Sequence, residues 1–142
     1  AQEPADNADL MGKGKLLVMD DEELIRDLAS ELLTALGYEV VLAKDGAEAV
    51  ALYRRAMETT RPFDLVIMDL TVPGGMGGQE AIGKLRAIDP GIKALVSSGY
   101  SNDHVMANFQ EHGFLGVLPK PYGIQQVGKA LREALEGEGP GL

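Results

Sequence analysis

Short apolar runs alternating with amphipathic stretches predict an α/β fold, a parallel sheet covered by helices on both faces. Two further observations support it. The 142 residues fit one domain, and 45% apolar with 25% charged residues suits an ordinary globular core. The chemically distinctive side chains cluster just after the strand-like runs, where open parallel sheets gather their chemistry.

The elements follow in order. Residues 1–14 mix Asp, Glu, Asn, Pro and Gly without apolar periodicity and read as a flexible linker. Lys15 to Met19 is an apolar run bounded by Gly14 and Asp20, a buried strand. Leu24, Ile25, Leu28, Leu32 and Leu36 then recur at helical spacing until Gly37 stops them. Glu39 to Ala43 is a second strand. A second helix opens near Asp45-Gly46, carries Ala47, Val50, Ala51 and Met57, and ends before Pro62. Leu65 to Met68 is the clearest buried strand, ending at Asp69.

A Gly-rich loop over Pro73 to Gly78 leads into a helix with Ala81, Ile82, Leu85 and Ile88, stopped by Asp89-Pro90-Gly91. Ile92 to Val96 is a fourth strand and Asn102 to Gln110 a short helix. Gly116 to Leu118 is a fifth strand, and Ile124, Val127, Leu131, Ala134 and Leu135 mark a last helix. The domain is expected over residues 15–136, with 137–142 a flexible tail of Gly and Pro. A chain opening on Ala rather than Met reads as a processed or excised piece.

Composition narrows the function. Cys is absent, which excludes disulfides and Cys-ligated zinc and fits a reducing cytoplasm. A formal net charge of −9 argues against direct nucleic-acid binding, which needs clustered Lys and Arg. No apolar run approaches the roughly 20 residues of a membrane-spanning helix, so this domain is expected to make no membrane contact.

The first strand is followed by Asp20, Asp21 and Glu22, the third by Asp69, the fourth by Ser97 and Ser98, the fifth by Pro119, Lys120 and Pro121. In a parallel sheet these sets share one rim. Carboxylates held that close repel unless a cation intervenes. Mg²⁺ prefers oxygen ligands and suits two or three carboxylates. An aspartate so neutralised can attack a phosphoryl donor, with a hydroxyl and a Lys meeting the charge on the transferring oxygens.

Each residue also has a blander role. Asp20 and Asp21 could cap the first helix, Asp69 could serve a turn, and Lys120 could be a solvated surface lysine. Their joint placement after predicted strands favours the chemical reading. Ser97 and Ser98 are not separable on composition. Gly74, Gly75, Gly77 and Gly78 lack either phosphate-loop pattern and read as a flexible loop. His104 and His112 have no ligand pattern nearby and read as surface residues.

Leu-Val-Met-Asp-Asp-Glu at 17–22, Ile-Met-Asp-Leu-Thr-Val-Pro at 67–73, Ser-Ser-Gly-Tyr at 97–100 and Lys-Pro-Tyr at 120–122 together resemble the receiver domains of two-component signalling. The resemblance implies a three-layer sandwich with a five-stranded sheet in the flavodoxin-like order 2-1-3-4-5. It implies Asp69 as phosphoacceptor and Mg²⁺ held by Asp20, Asp21, Asp69 and the Thr71 backbone carbonyl. Ser98 would be the hydroxyl that meets the phosphoryl group, and Lys120 would pair with Asp69 across an often cis Lys120–Pro121 bond. The phosphodonor would be a histidine kinase or a histidine phosphotransfer protein. A protein partner would read the face of the fourth helix, fifth strand and fifth helix.

The Gly-rich loop looks most like receivers attached to hybrid sensor histidine kinases. Val117 stands three before Lys120, where many receivers carry a switching Tyr or Phe, and Thr71 and Tyr100 stand where side chains tune phosphoryl lifetime. Three rivals to a hybrid-kinase receiver remain: a free-standing response regulator, a docking-only pseudo-receiver, and an aspartate-nucleophile phosphatase. The last is disfavoured because Asp20-Asp21-Glu22 lacks its Asp-x-Asp arrangement.

Overall fold

The computed structural model describes residues 10–99 and 107–136. β1 (Lys15–Met19) and β3 (Leu65–Asp69) come from the two most apolar runs and lie at the centre of the sheet. β2 (Glu39–Ala43), β4 (Ala94–Ser98) and β5 (Gly116–Pro119) complete it in the order β2-β1-β3-β4-β5, with every pair parallel. This is the expected order. Among the described residues, four helices, α1 (Glu23–Ala35), α2 (Gly46–Met57), α3 (Gly78–Ile88) and α4 (Ile124–Glu136), cover its two faces.

Alternation along the strands sorts the core into two layers. Leu17, Met19, Val66, Met68, Ala94 and Val96 pack with Ala49 and Tyr53 of α2 and with Ala81 and Leu85 of α3. Leu16, Val18, Leu65, Ile67 and Leu95 pack with Ala29 and Leu33 of α1 and with Val127 and Leu131 of α4. Burying each large side chain contributes about 1.5–3 kcal/mol. α2 starts where Asp45 caps it, its Oδ1 accepting the Glu48 N–H at 2.9 Å. α1 ends at Gly37, whose φ of +105° suits a residue without Cβ, and the Tyr38 N–H returns to the Leu33 carbonyl.

Several expectations shift. Leu24 is not part of the buried stripe of α1: it lies in the helix's first turn, 82% exposed, and Ala29 and Leu33 are buried instead. β4 begins two residues later than expected, because Ile92 still belongs to the turn that Asp89 closes. There the Ile92 N–H reaches the Asp89 carbonyl and the Gly91 N–H reaches Asp89 Oδ1. Ser97 and Ser98 are therefore inside the strand. The helix expected over Asn102–Gln110 falls largely outside the described residues, and Phe109–His112 form a single 3-10 turn. His112 is half-buried on that turn rather than at the surface, and His104 lies outside the described residues.

The segment before β1 also packs. The Gly12 N–H donates to the Leu36 carbonyl at 2.8 Å, Arg132 Nη1 donates to the Met11 carbonyl at 3.0 Å, and Leu10 lies against Gly128 of α4.

Candidate functional site

The carboxyl ends of β1, β3 and β5 bring Asp20, Asp21, Asp69 and Lys120 together. The Asp20 N–H still donates to the Ala43 carbonyl at 3.0 Å, so the ladder fixes this residue one step beyond β1. Its side chain is fully buried. One carboxylate oxygen accepts the Glu22 N–H at 2.9 Å and the other accepts Lys120 Nζ at 2.9 Å. Arg26 Nη1 donates to the Asp20 carbonyl at 2.8 Å. The N-cap of α1 is Glu22, with no side-chain capping bond, so neither aspartate caps that helix.

Asp69 ends β3, 4% exposed, and Lys120 Nζ lies 3.3 Å from its Oδ1. Asp21 is exposed at the rim. One oxygen from each of the three carboxylates lies within 4.8 Å of the others. At about 5 Å, two unit charges repel by roughly 3 kcal/mol at an effective dielectric near 20. A single ammonium cannot balance three carboxylates.

The electrostatics follow. Burial pushes Asp69 up to about 7 from 3.8. The Asp20 charge and a side-chain hydrogen bond with Asp21 add to the rise, and Lys120 opposes it. Burial alone would lower Lys120, but its hydrogen bond to Asp20 and the charges of Asp69 and Asp20 outweigh this and raise it. Lys120 stays charged. The pocket wants one more cation, and its donors are all carboxylate oxygens, the chemistry of a hard divalent ion.

The loop after Asp69 folds tightly back to α3. The Gly78 N–H donates to the Leu70 carbonyl at 3.1 Å, and a Cβ on Gly77 would sit 2.4 Å from that oxygen. The Gly46 N–H at the start of α2 holds the Met76 carbonyl at 2.7 Å. The loop read as flexible is thus latched at its far end. Thr71 is exposed just beyond Asp69, and the Lys120–Pro121 bond is cis.

Ser97 is the Cα partner of Asp69 across β3 and β4, and its carbonyl accepts the Leu70 N–H at 2.8 Å. Its fully buried hydroxyl accepts from the Tyr122 hydroxyl at 3.0 Å. Burial pushes the Tyr122 phenol up to about 12; the Ser97 bond and Lys120 oppose the rise, and the charges of Asp20 and Asp69 add to it. On sequence Ser97 is one of a pair not separable from Ser98, and Tyr122 has only the Tyr of Lys-Pro-Tyr as a signal. Ser98 is buried at the end of β4, beside Pro119, and its carbonyl accepts the Lys120 N–H at 3.1 Å.

The family profile of the response regulator receiver domain matches residues 16–132. The chain belongs to that family. A response regulator receiver protein of Anaeromyxobacter sp. (strain Fw109-5) is 36% identical to this receiver domain over 113 residues, which is 80% of this chain and 45% of the relative. The sensor kinase CckA of Brucella abortus is 32% identical over 128 residues, covering 90% of this chain and 13% of the kinase. The receiver thus spans less than half the length of either relative. The receiver domain of sensor histidine kinase PA1611 from Pseudomonas aeruginosa has magnesium coordinated in its active-site cleft. It shares the fold, with a TM-score of 0.77 at 21% identity, over 89% of this chain and 100% of that one. Membership sets aside the phosphatase rival. Among the described residues, no helix is long and apolar enough to cross a membrane.

Proposed function

We propose that Asp69 is the phosphoacceptor of this receiver and that Mg²⁺ binds beside it through Asp20, Asp21, Asp69 and the Thr71 backbone carbonyl. One observation carries this reading: three carboxylates meet within 4.8 Å, with Lys120 Nζ between the two buried ones. When bound, the ion would neutralise the carboxylates and offset charge on the phosphoryl oxygens. An Asp69 oxygen attacks the phosphorus of a phosphohistidine. The new P–O bond forms as the P–N bond breaks, and the electron pair leaves on the imidazole nitrogen. Lys120 meets the added negative charge, and the Ser98 hydroxyl is drawn toward the phosphoryl group.

The donor is a histidine kinase or a histidine phosphotransfer protein, and the parent is a hybrid sensor kinase acting in the cytoplasm. The similarity to CckA and the Gly-rich loop after Asp69 support that context. The output partner reads the face of β5 and α4, the helix expected as the fifth, together with the expected fourth helix, which lies largely outside the described residues.

Mg²⁺ with acetyl phosphate or beryllofluoride should shift the NMR resonances of residues lining the pocket, and Asp69→Ala should abolish the response. Unchanged wild-type spectra at saturating mimic would overturn the proposal.

A further inference from the structure

The hydroxyl pair of Ser97 and Tyr122 joins β4, the neighbour of the strand that ends at Asp69, to the segment just before α4. Ser97 is the strand partner of Asp69, and its carbonyl holds the peptide N–H that follows Asp69. Along β4, Leu95 faces α1 and α4 whereas Ala94 and Val96 face α2 and α3. Alternation therefore turns the Ser97 side chain toward α1 and α4, where Tyr122 meets it. Tyr122 follows Lys120 by two residues. Its ring belongs to the layer of Leu118, Val127 and Leu131, so it touches the elements that build α4.

We infer that Tyr122 is a positioning residue, whose hydrogen bond to Ser97 transmits the state of Asp69 to α4. The inference rests on Asp69 being the phosphoacceptor. Ser97 cannot move with β3 and β4 without shortening, bending or losing a bond buried away from water, and an unpaired buried hydroxyl is unfavourable. The same displacement acts on Lys120, whose N–H is tied to the next carbonyl, that of Ser98. Tyr122 is thus driven through its hydroxyl and through its own chain. Val117 packs on the opposite face, with the layer of α2 and α3, and carries no ring or hydroxyl. The coupling assigned to Tyr122 runs under α1 and α4.

Tyr122→Phe deletes the hydroxyl and keeps the ring. With Mg²⁺ and beryllofluoride, wild-type protein should show NMR shifts both at the pocket and along α4, at Val127 and Leu131. In Tyr122→Phe the pocket shifts and the mimic affinity should stay within about twofold, while the α4 shifts fall to less than about half. Ser97→Ala should reproduce this from the other side of the bond and covers the case in which Tyr122→Phe fails to fold. A purely structural bond would change thermal stability and leave the α4 response at wild-type size in both variants. That result overturns the inference, as would pocket shifts in wild-type protein with none in α4. Loss of every wild-type response would instead remove the phosphoacceptor reading itself.

Discussion

Asp69 is buried, flanked by Asp20 and Asp21 and met by one ammonium, so metal-free protein favours its protonated form. The folded-state pKa is raised to about 7 from 3.8. Between those values the folded chain binds more protons than the unfolded chain. The contribution of this group to stability is therefore full below about pH 4, declines as pH rises toward about 7, and is lost above it. Asp69→Asn removes the charge and with it that decline. In the presence of a chelator, the variant should gain little over wild type near about pH 4 and on the order of 2–4 kcal/mol near about pH 8, by urea unfolding. Equal stability at both would show that the pocket does not strain this carboxylate. Asp20, Asp21, Asp69 and Lys120 were legible in the sequence because each follows a strand, and parallel strands deliver their carboxyl ends to one edge. Ser97 and Ser98 were not separable. Neighbours within a strand face opposite sides, and only the register with Asp69 tells which hydroxyl lies toward Tyr122.

Among the elements, the strands were placed best where apolar runs meet sharp boundaries, as at Gly14 and Asp20 around β1. β4 slipped by two residues because Ile92 is apolar yet spent on a turn whose hydrogen bonds come from Asp89. Leu24 misled for a related reason: helical spacing shows which residues share a stripe, and not where the stripe leaves the sheet. By composition the glycines of the β3–α3 loop signal freedom, whereas the backbone uses Gly77 for close approach. Gly77→Ala would bring a Cβ to 2.4 Å of the Leu70 carbonyl oxygen, backbone that cannot rotate away. It should cost about 2–3 kcal/mol. Gly83 lies inside α3, exposed and with nothing within 4 Å of its added Cβ. Gly83→Ala should stabilise the domain by about 0.5–1 kcal/mol. Thermal unfolding of the two variants compares them directly, and a matching sign would refute this account of the loop.

At the scale of the whole molecule, the pocket links distant parts of the chain, since Lys120 is 100 residues from Asp20 and 51 from Asp69. Unfolding disperses these groups, so an ion that needs them together binds the folded state alone and stabilises all of it. At a hundredfold excess over its dissociation constant, Mg²⁺ should add about 2.7 kcal/mol, a Tm rise of roughly 10 °C for a domain of this size. The net charge of −9 would let any cation help somewhat by screening, so the comparison is NaCl at matched ionic strength, which should give only a small part of the rise. The Mg²⁺ increment should also shrink in mild acid, because Asp69 must first lose the proton that burial and its neighbours favour. Asp21→Ala, at the exposed corner of the pocket, should cut the increment while leaving the metal-free Tm nearly unchanged. A Tm rise that is the same in NaCl, or the same with Asp21 removed, would mean that the cation acts on the surface at large and not on these three carboxylates.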